Sequence, residues 1–141
     1  PRSVKFNCEN NTSSTIFEGS HNGYLKKFNT IIKRKIEIQN DSYFLKGEDS
    51  IICVKNINNR LIYHIRFHLV DGISFNFTNN KKNVILRTKQ KKMWLFKCDT
   101  ELMVEDTILV DQNITKPSKQ IVIKGILNNN KQIKKWSIEK I

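Results

Sequence analysis

The chain contains no alanine, and only five glycines, two prolines and three cysteines. Each shortage excludes something. Alanine is the best helix former, so its absence lowers the expectation of helix. The scattered glycines build no phosphate-binding loop. Cys8, Cys53 and Cys98 are far apart and show no CxxC spacing. That excludes a zinc ribbon and a disulfide framework, and leaves at most one bridge. They read as small buried apolar residues. No apolar run approaches the ~18 residues that a membrane-spanning helix needs. No signal-peptide pattern is visible. Neither HExxH nor a GxSxG nucleophile elbow occurs. The opening Pro1-Arg2-Ser3-Val4 lacks a methionine and reads as a cut from something longer.

What remains is 141 residues, the length of one domain spanning 1–141. The net charge is +12, from 25 basic and 13 acidic residues, with 20 lysines and 5 arginines among the former. A field of that sign attracts polyanions: nucleic acid, acidic polysaccharide or an anionic membrane. Enrichment in Lys, Asn and Ile is also what an AT-rich genome writes. The excess of Lys over Arg favours this compositional reading, because bidentate anion recognition prefers arginine.

The dominant period is two. Tyr63, Ile65, Phe67 and Leu69 share one face, and His64, Arg66 and His68 the other. Ile32, Arg34, Ile36 and Ile38 alternate with Lys33, Lys35 and Glu37. Phe75 and Phe77, Trp94 and Phe96, Ile121 and Ile123, and Trp136 and Ile138 continue the pattern. Turn signals separate the runs: Asn10-Asn11, Gln39-Asn40-Asp41, Asn58-Asn59, Asp71-Gly72, Asn79-Asn80, Thr115-Lys116-Pro117 and Asn128-Asn129-Asn130. This rhythm predicts an all-β fold, an antiparallel β-sandwich of roughly ten to thirteen strands.

Three groups of residues carry candidate chemistry. In Ser20-His21-Asn22-Gly23-Tyr24, His21 and Tyr24 are close enough in sequence to serve as an acid and base pair. Asn22-Gly23 equally suits a type I′ turn, with His21 and Tyr24 as flanking strand residues. His64, Arg66 and His68 line one strand face, where the arginine suits an acidic sugar and opposes a metal cation. Trp94 and Trp136 stack on sugars if exposed and belong to the core if buried, and their apolar alternation favours the core. Lys81-Lys82, Lys89-Gln90-Lys91-Lys92 and Lys134-Lys135 read as solvated hairpin ends or as a basic stripe.

These residues carry a resemblance. Ser20-His21-Asn22-Gly23-Tyr24, Phe28 and Lys33-Arg34-Lys35 resemble a pattern of bacterial heparinase II/III-like proteins. Leu45-Lys46-Gly47-Glu48-Asp49, Ile65-Arg66-Phe67-His68-Leu69, Trp94-Leu95-Phe96, Gln120 to Gly125 and Trp136 to Glu139 follow in the family's order. The resemblance runs from about Thr15 to the C-terminus. Asn22 stands where the family usually has Asp, and Ile32 where it often has His.

The resemblance implies the C-terminal portion of a two-part protein, an α/α-toroid followed by a β-sandwich. Relatives are lyases that cleave uronate-containing polysaccharides by β-elimination. Their catalytic residues come from the toroid and from a His early in the β domain, and a structural zinc, where present, also uses early His and Asp residues. Those early motifs are absent here, so no catalytic residue, metal ligand or cofactor is expected.

The leading reading is therefore a non-catalytic module that supports its own N-terminal toroid and contacts an acidic polysaccharide. Arg66 and His68 are the first contact candidates, followed by His21 and Tyr24. One alternative is a catalytic lyase fragment using His21 and Tyr24. Another is a basic nucleic-acid-binding β protein, although nucleic acid is not the expected partner and neither is a membrane. A cut sandwich exposes edges, which leaves a dimer open. The parent's compartment stays open, the periplasm being compatible with such a lyase.

Overall fold

The computed structural model describes residues 1–55, 60–78, 80–111, 114–128 and 131–141. Its elements are β1 (Val4–Asn10), β2 (Ser14–His21), a one-turn α1 (Leu25–Phe28), β3 (Thr30–Gln39), β4 (Phe44–Cys53) and β5 (Leu61–His68). They continue with β6 (Ser74–Phe77), β7 (Asn83–Arg87), β8 (Met93–Cys98), β9 (Leu102–Asp111), β10 (Ile114–Leu127) and β11 (Gln132–Lys140). The eleven strands form two antiparallel sheets, as the period of two predicts. The larger sheet has the order β1-β2-β3-β4-β11-β8-β7-β6, and the smaller β5-β10-β9. No helix among the described residues is long and apolar enough to cross a membrane.

The core fills the space between the sheets. Val84 and Leu86 of β7, Phe96 and Cys98 of β8 and Trp136 of β11 meet Ile65 of β5, Leu102 of β9 and Ile121 and Ile123 of β10. Phe67 packs edge-on against Phe96 and Trp136, with ring centroids 5.0 and 4.8 Å away. The small sheet is only three strands wide, so it cannot cover eight. β1 is exposed along its whole length. β5 is the edge of the small sheet, and a groove opens between it and the uncovered β1–β3 side of the large one.

Several turn expectations change. Asn22-Gly23 is not a type I′ turn, because neither residue takes the positive φ that this turn requires. The segment instead leads into α1, with Tyr24 at its N-cap. Asn29, at φ 53°, ends that helix in the left-handed conformation that asparagine tolerates. The Asn22 side chain is used elsewhere, its Oδ1 accepting from the N–H groups of Arg2 and Ser3 and tying down the N-terminus.

Thr115-Lys116-Pro117 lies inside β10 rather than in a turn. β5 pairs only with Gln120 to Leu127, so at Pro117 one edge of β10 is unpaired and a missing N–H is tolerated. Lys134 and Lys135 likewise lie within β11, not at a hairpin end. Asp71-Gly72 does turn, with Gly72 at φ 77°. The signals at Asn58-Asn59, Asn79 and Asn129-Asn130 lie outside the described residues. Of the cysteines only Cys98 is buried; Cys53 is half-buried, and Cys8, on the bare strand β1, is exposed.

Candidate functional site

The groove has a volume of about 820 Å³. β2 brings His21 to its wall, α1 brings Tyr24 and Phe28, β3 and β4 bring Arg34 and Asp49, and β5 brings His64 and Arg66. Three of the four contact candidates, His21, Tyr24 and Arg66, therefore meet at one cleft. His68 does not line it. It sits at the end of β5, exposed on the outer face of the small sheet and opposite Gln120.

His21 is oriented by its neighbour. The Gly23 N–H donates to His21 Nδ1 at 3.2 Å, which keeps that nitrogen an acceptor. The Tyr24 ring stands 5.7 Å from the imidazole, tilted by 50°. Directly across from His21 on β3 is Ile32, a hydrocarbon that offers no metal ligand. Among the described residues no three His, Cys, Asp or Glu side chains come together as a metal site. The residues here do not fit the structural zinc that the sequence resemblance implies for some such domains.

Arg66 lies on the outer face of β5 and its Nη1 donates to Glu105 Oε2 at 2.6 Å. Gln120 Nε2 donates to the same oxygen at 3.2 Å. The Arg66 hydrogen bond holds the Glu105 carboxyl below its ordinary range, against a smaller opposing effect of desolvation. Arg66 therefore reaches the cleft already partnered.

Two residues were missed as site residues. Arg34 and Asp49 are Cα partners on β3 and β4, and both side chains point between the sheets. Arg34 donates from Nε to Asp49 Oδ1 at 2.6 Å and from Nη2 to Oδ2 at 3.0 Å. Trp136 Nε1–H donates to the same Oδ2 at 2.8 Å. A signal for Arg34 was present: it occupies the apolar phase of its strand, alternating with Ile32 and Ile36. A charge in that phase needs a buried partner, and Asp49 is the one.

The tryptophans resolve toward the core. Trp136 is buried between Phe67 and Phe96, and Trp94 is half-buried with Tyr43 edge-on at 6.2 Å.

The chain matches the family described as heparinase II/III-like, C-terminal, over residues 1–137, beginning upstream of the Thr15 where the motif resemblance starts. Among solved structures it is similar to the heparan sulfate lyase HepC from Pedobacter heparinus, with a TM-score of 0.80 at 12% identity over 97% of this chain and 21% of the lyase. It is also similar to a heparinase III structure, with a TM-score of 0.74 at 14% identity over 99% of this chain and 21% of the other. At such identities the likeness is one of fold, and the chain spans 21% of the length of these solved proteins. No curated protein sequence matches it.

Proposed function

The chain belongs to the heparinase II/III-like C-terminal family, and from that premise we propose that it is a non-catalytic β-sandwich module that walls one side of a glycan cleft in a polysaccharide lyase-like protein. In this reading it supports an N-terminal toroid and contacts an anionic, uronate-containing chain. The observation that carries the reading is the groove itself. It gathers His21, Tyr24 and Arg34, neighbours in sequence, with Arg66 of the distant strand β5 along about 820 Å³ of open space beside an uncovered sheet face. Cationic and hydrogen-bonding groups facing a cleft suit an acidic sugar chain. The net charge of +12 adds a long-range attraction of the same sign. His68, outside the groove, is a weaker contact in this reading than its place beside Arg66 in the sequence implied.

The test is binding to a panel of anionic polysaccharides at physiological salt, where the Debye length is about 8 Å, with duplex DNA as the charge control. Saturable binding to a uronate glycan that DNA does not match, weakened by Arg66→Ala, is the expected result. Equal binding to every polyanion that fades with added salt would sink the reading and return the charge to composition.

A second reading has one observation behind it. His21 and Tyr24 stand side by side in the groove with ring centroids 5.7 Å apart, as an acid and base pair would. It requires that this chain alone releases an unsaturated uronate product, and Tyr24→Phe abolishes that release.

A further inference from the structure

Arg34 and Asp49 form an asymmetric ion pair. The Asp49 side chain is 5% exposed, whereas that of Arg34 is 38% exposed and lines the groove. A pair serving the core alone has no need to leave its cation open to a cleft. Arginine carries five N–H donors. Asp49 takes the Nε–H and one Nη2–H, and Arg34 has no other hydrogen-bond partner among the described residues. What remains includes the outer Nη1/Nη2 fork, whose spacing matches the two oxygens of a carboxylate.

The guanidinium is also held in plane. Its carbon lies 5.1 Å from the Phe67 ring centroid and 5.8 Å from that of Trp136. Trp136 also holds Asp49, its indole N–H donating to the Oδ2 that accepts from Arg34 Nη2. Gly19, the Cα partner of Arg34 on β2, puts no side chain beside it, and a Cβ built there would meet nothing within 4 Å. The fork is therefore ordered by folding rather than by a ligand, which lowers the entropy cost of binding.

We propose that Arg34 is the residue that binds the carboxylate of a uronate in the groove, with Asp49 and Trp136 as its positioning residues. This rests on the glycan-binding reading above and deepens it. The outer fork accepts the carboxylate bidentately, and Arg66 and His64 across the groove provide the further positive and hydrogen-bonding rim.

The test compares wild type with Arg34→Lys, which keeps the charge and loses the fork. The ligands are a uronate oligosaccharide and its carboxyl-reduced, neutral counterpart. The expected result is an affinity for the uronate ligand about tenfold weaker in Arg34→Lys, measured below the lowered melting temperature of the variant, and equal, weak binding of the neutral ligand by both proteins. Uronate binding by wild type that Arg34→Lys leaves intact would overturn the assignment while the glycan-binding reading survives. Failure of wild type to bind any uronate glycan defeats both. Should the variant not fold, the Arg34 Nε–H resonance of the wild type decides: a shift on titration with the uronate ligand supports the assignment, and an unmoved signal beside shifting groove resonances overturns it.

Discussion

The indole N–H of Trp136 donates at 2.8 Å to Asp49, a carboxylate 4% exposed, across 87 residues of chain. The bond joins β11 to its neighbour β4 and lies in the layer where Phe67 meets Trp136. Trp136→Phe keeps most of the ring and deletes the donor. One oxygen of a buried carboxylate then loses a partner, and stability falls by about 1–3 kcal/mol. Urea unfolding measures it; a midpoint equal to wild type would mean that water replaces the bond.

The same indole explains Gly47. Trp136 lies opposite it in register, and a Cβ at Gly47 would sit 2.2 Å from the ring. Gly47→Ala therefore displaces the tryptophan that orients Asp49, at a cost of about 1–3 kcal/mol or more. Gly19→Ala is the control. Its Cβ meets nothing within 4 Å and stiffens the unfolded chain, so stability stays level or rises by up to about 1 kcal/mol. Equal melting temperatures for the two alanine variants would contradict this packing.

Much of this architecture was legible. The alternation from Tyr63 to Leu69 places Ile65 and Leu69 inside and His64, Arg66 and His68 outside, because the pleat itself has a period of two. The same alternation with its regularly spaced turn signals supplied the fold class, and the family motifs agreed with it. The groove was not legible, since it arises where β5, an edge strand, stands off β2 and β3, and no local pattern encodes how far a small sheet covers a large one. The separation of His68 from the groove was hidden for the same reason: sharing a strand face with Arg66 does not place it at the same opening. Asn22-Gly23 misled because asparagine before glycine favours a hairpin only where both take positive φ, whereas here the Asn22 side chain holds the N-terminal segment. Arg34, by contrast, was readable as a charge in the apolar phase of β3.

Arg66 sets a competition that can be measured. Its guanidinium is held by Glu105 at 2.6 Å, so a glycan carboxylate must share or displace that partner. Glu105→Gln removes the competing charge. If Arg66 contacts the glycan, affinity rises by a factor of about two to five, the equivalent of one exposed ion pair. Unchanged affinity would remove Arg66 from the contact set and leave the groove to Arg34.

The Arg66–Glu105 pair also has a pH signature. The arginine's hydrogen bond lowers the folded-state pKa of Glu105 below its ordinary 4.5. The pair's contribution is then complete above that value and is lost as pH falls through the lowered one. Arg66→Ala moves the Glu105 titration upward, read from its carboxyl carbon resonance. A Glu105 that titrates identically in both proteins would show that the ion pair does not persist in solution.

The three thiols test the packing without touching the groove. Cys8 lies on β1, exposed along its length, whereas Cys98 is in the core cluster beside Val84 and Trp136. Burial pushes the Cys98 thiol above its ordinary 9.0, which further depletes the reactive thiolate. Iodoacetamide should therefore label Cys8 first, with Cys98 more than about a hundredfold slower until urea opens the sandwich. Peptide mass spectrometry gives the order directly. Labelling of Cys98 at the rate of Cys8 under native conditions would mean that β8 leaves the large sheet readily, and with it Phe96, one of the two rings against which Phe67 is packed beneath Arg34.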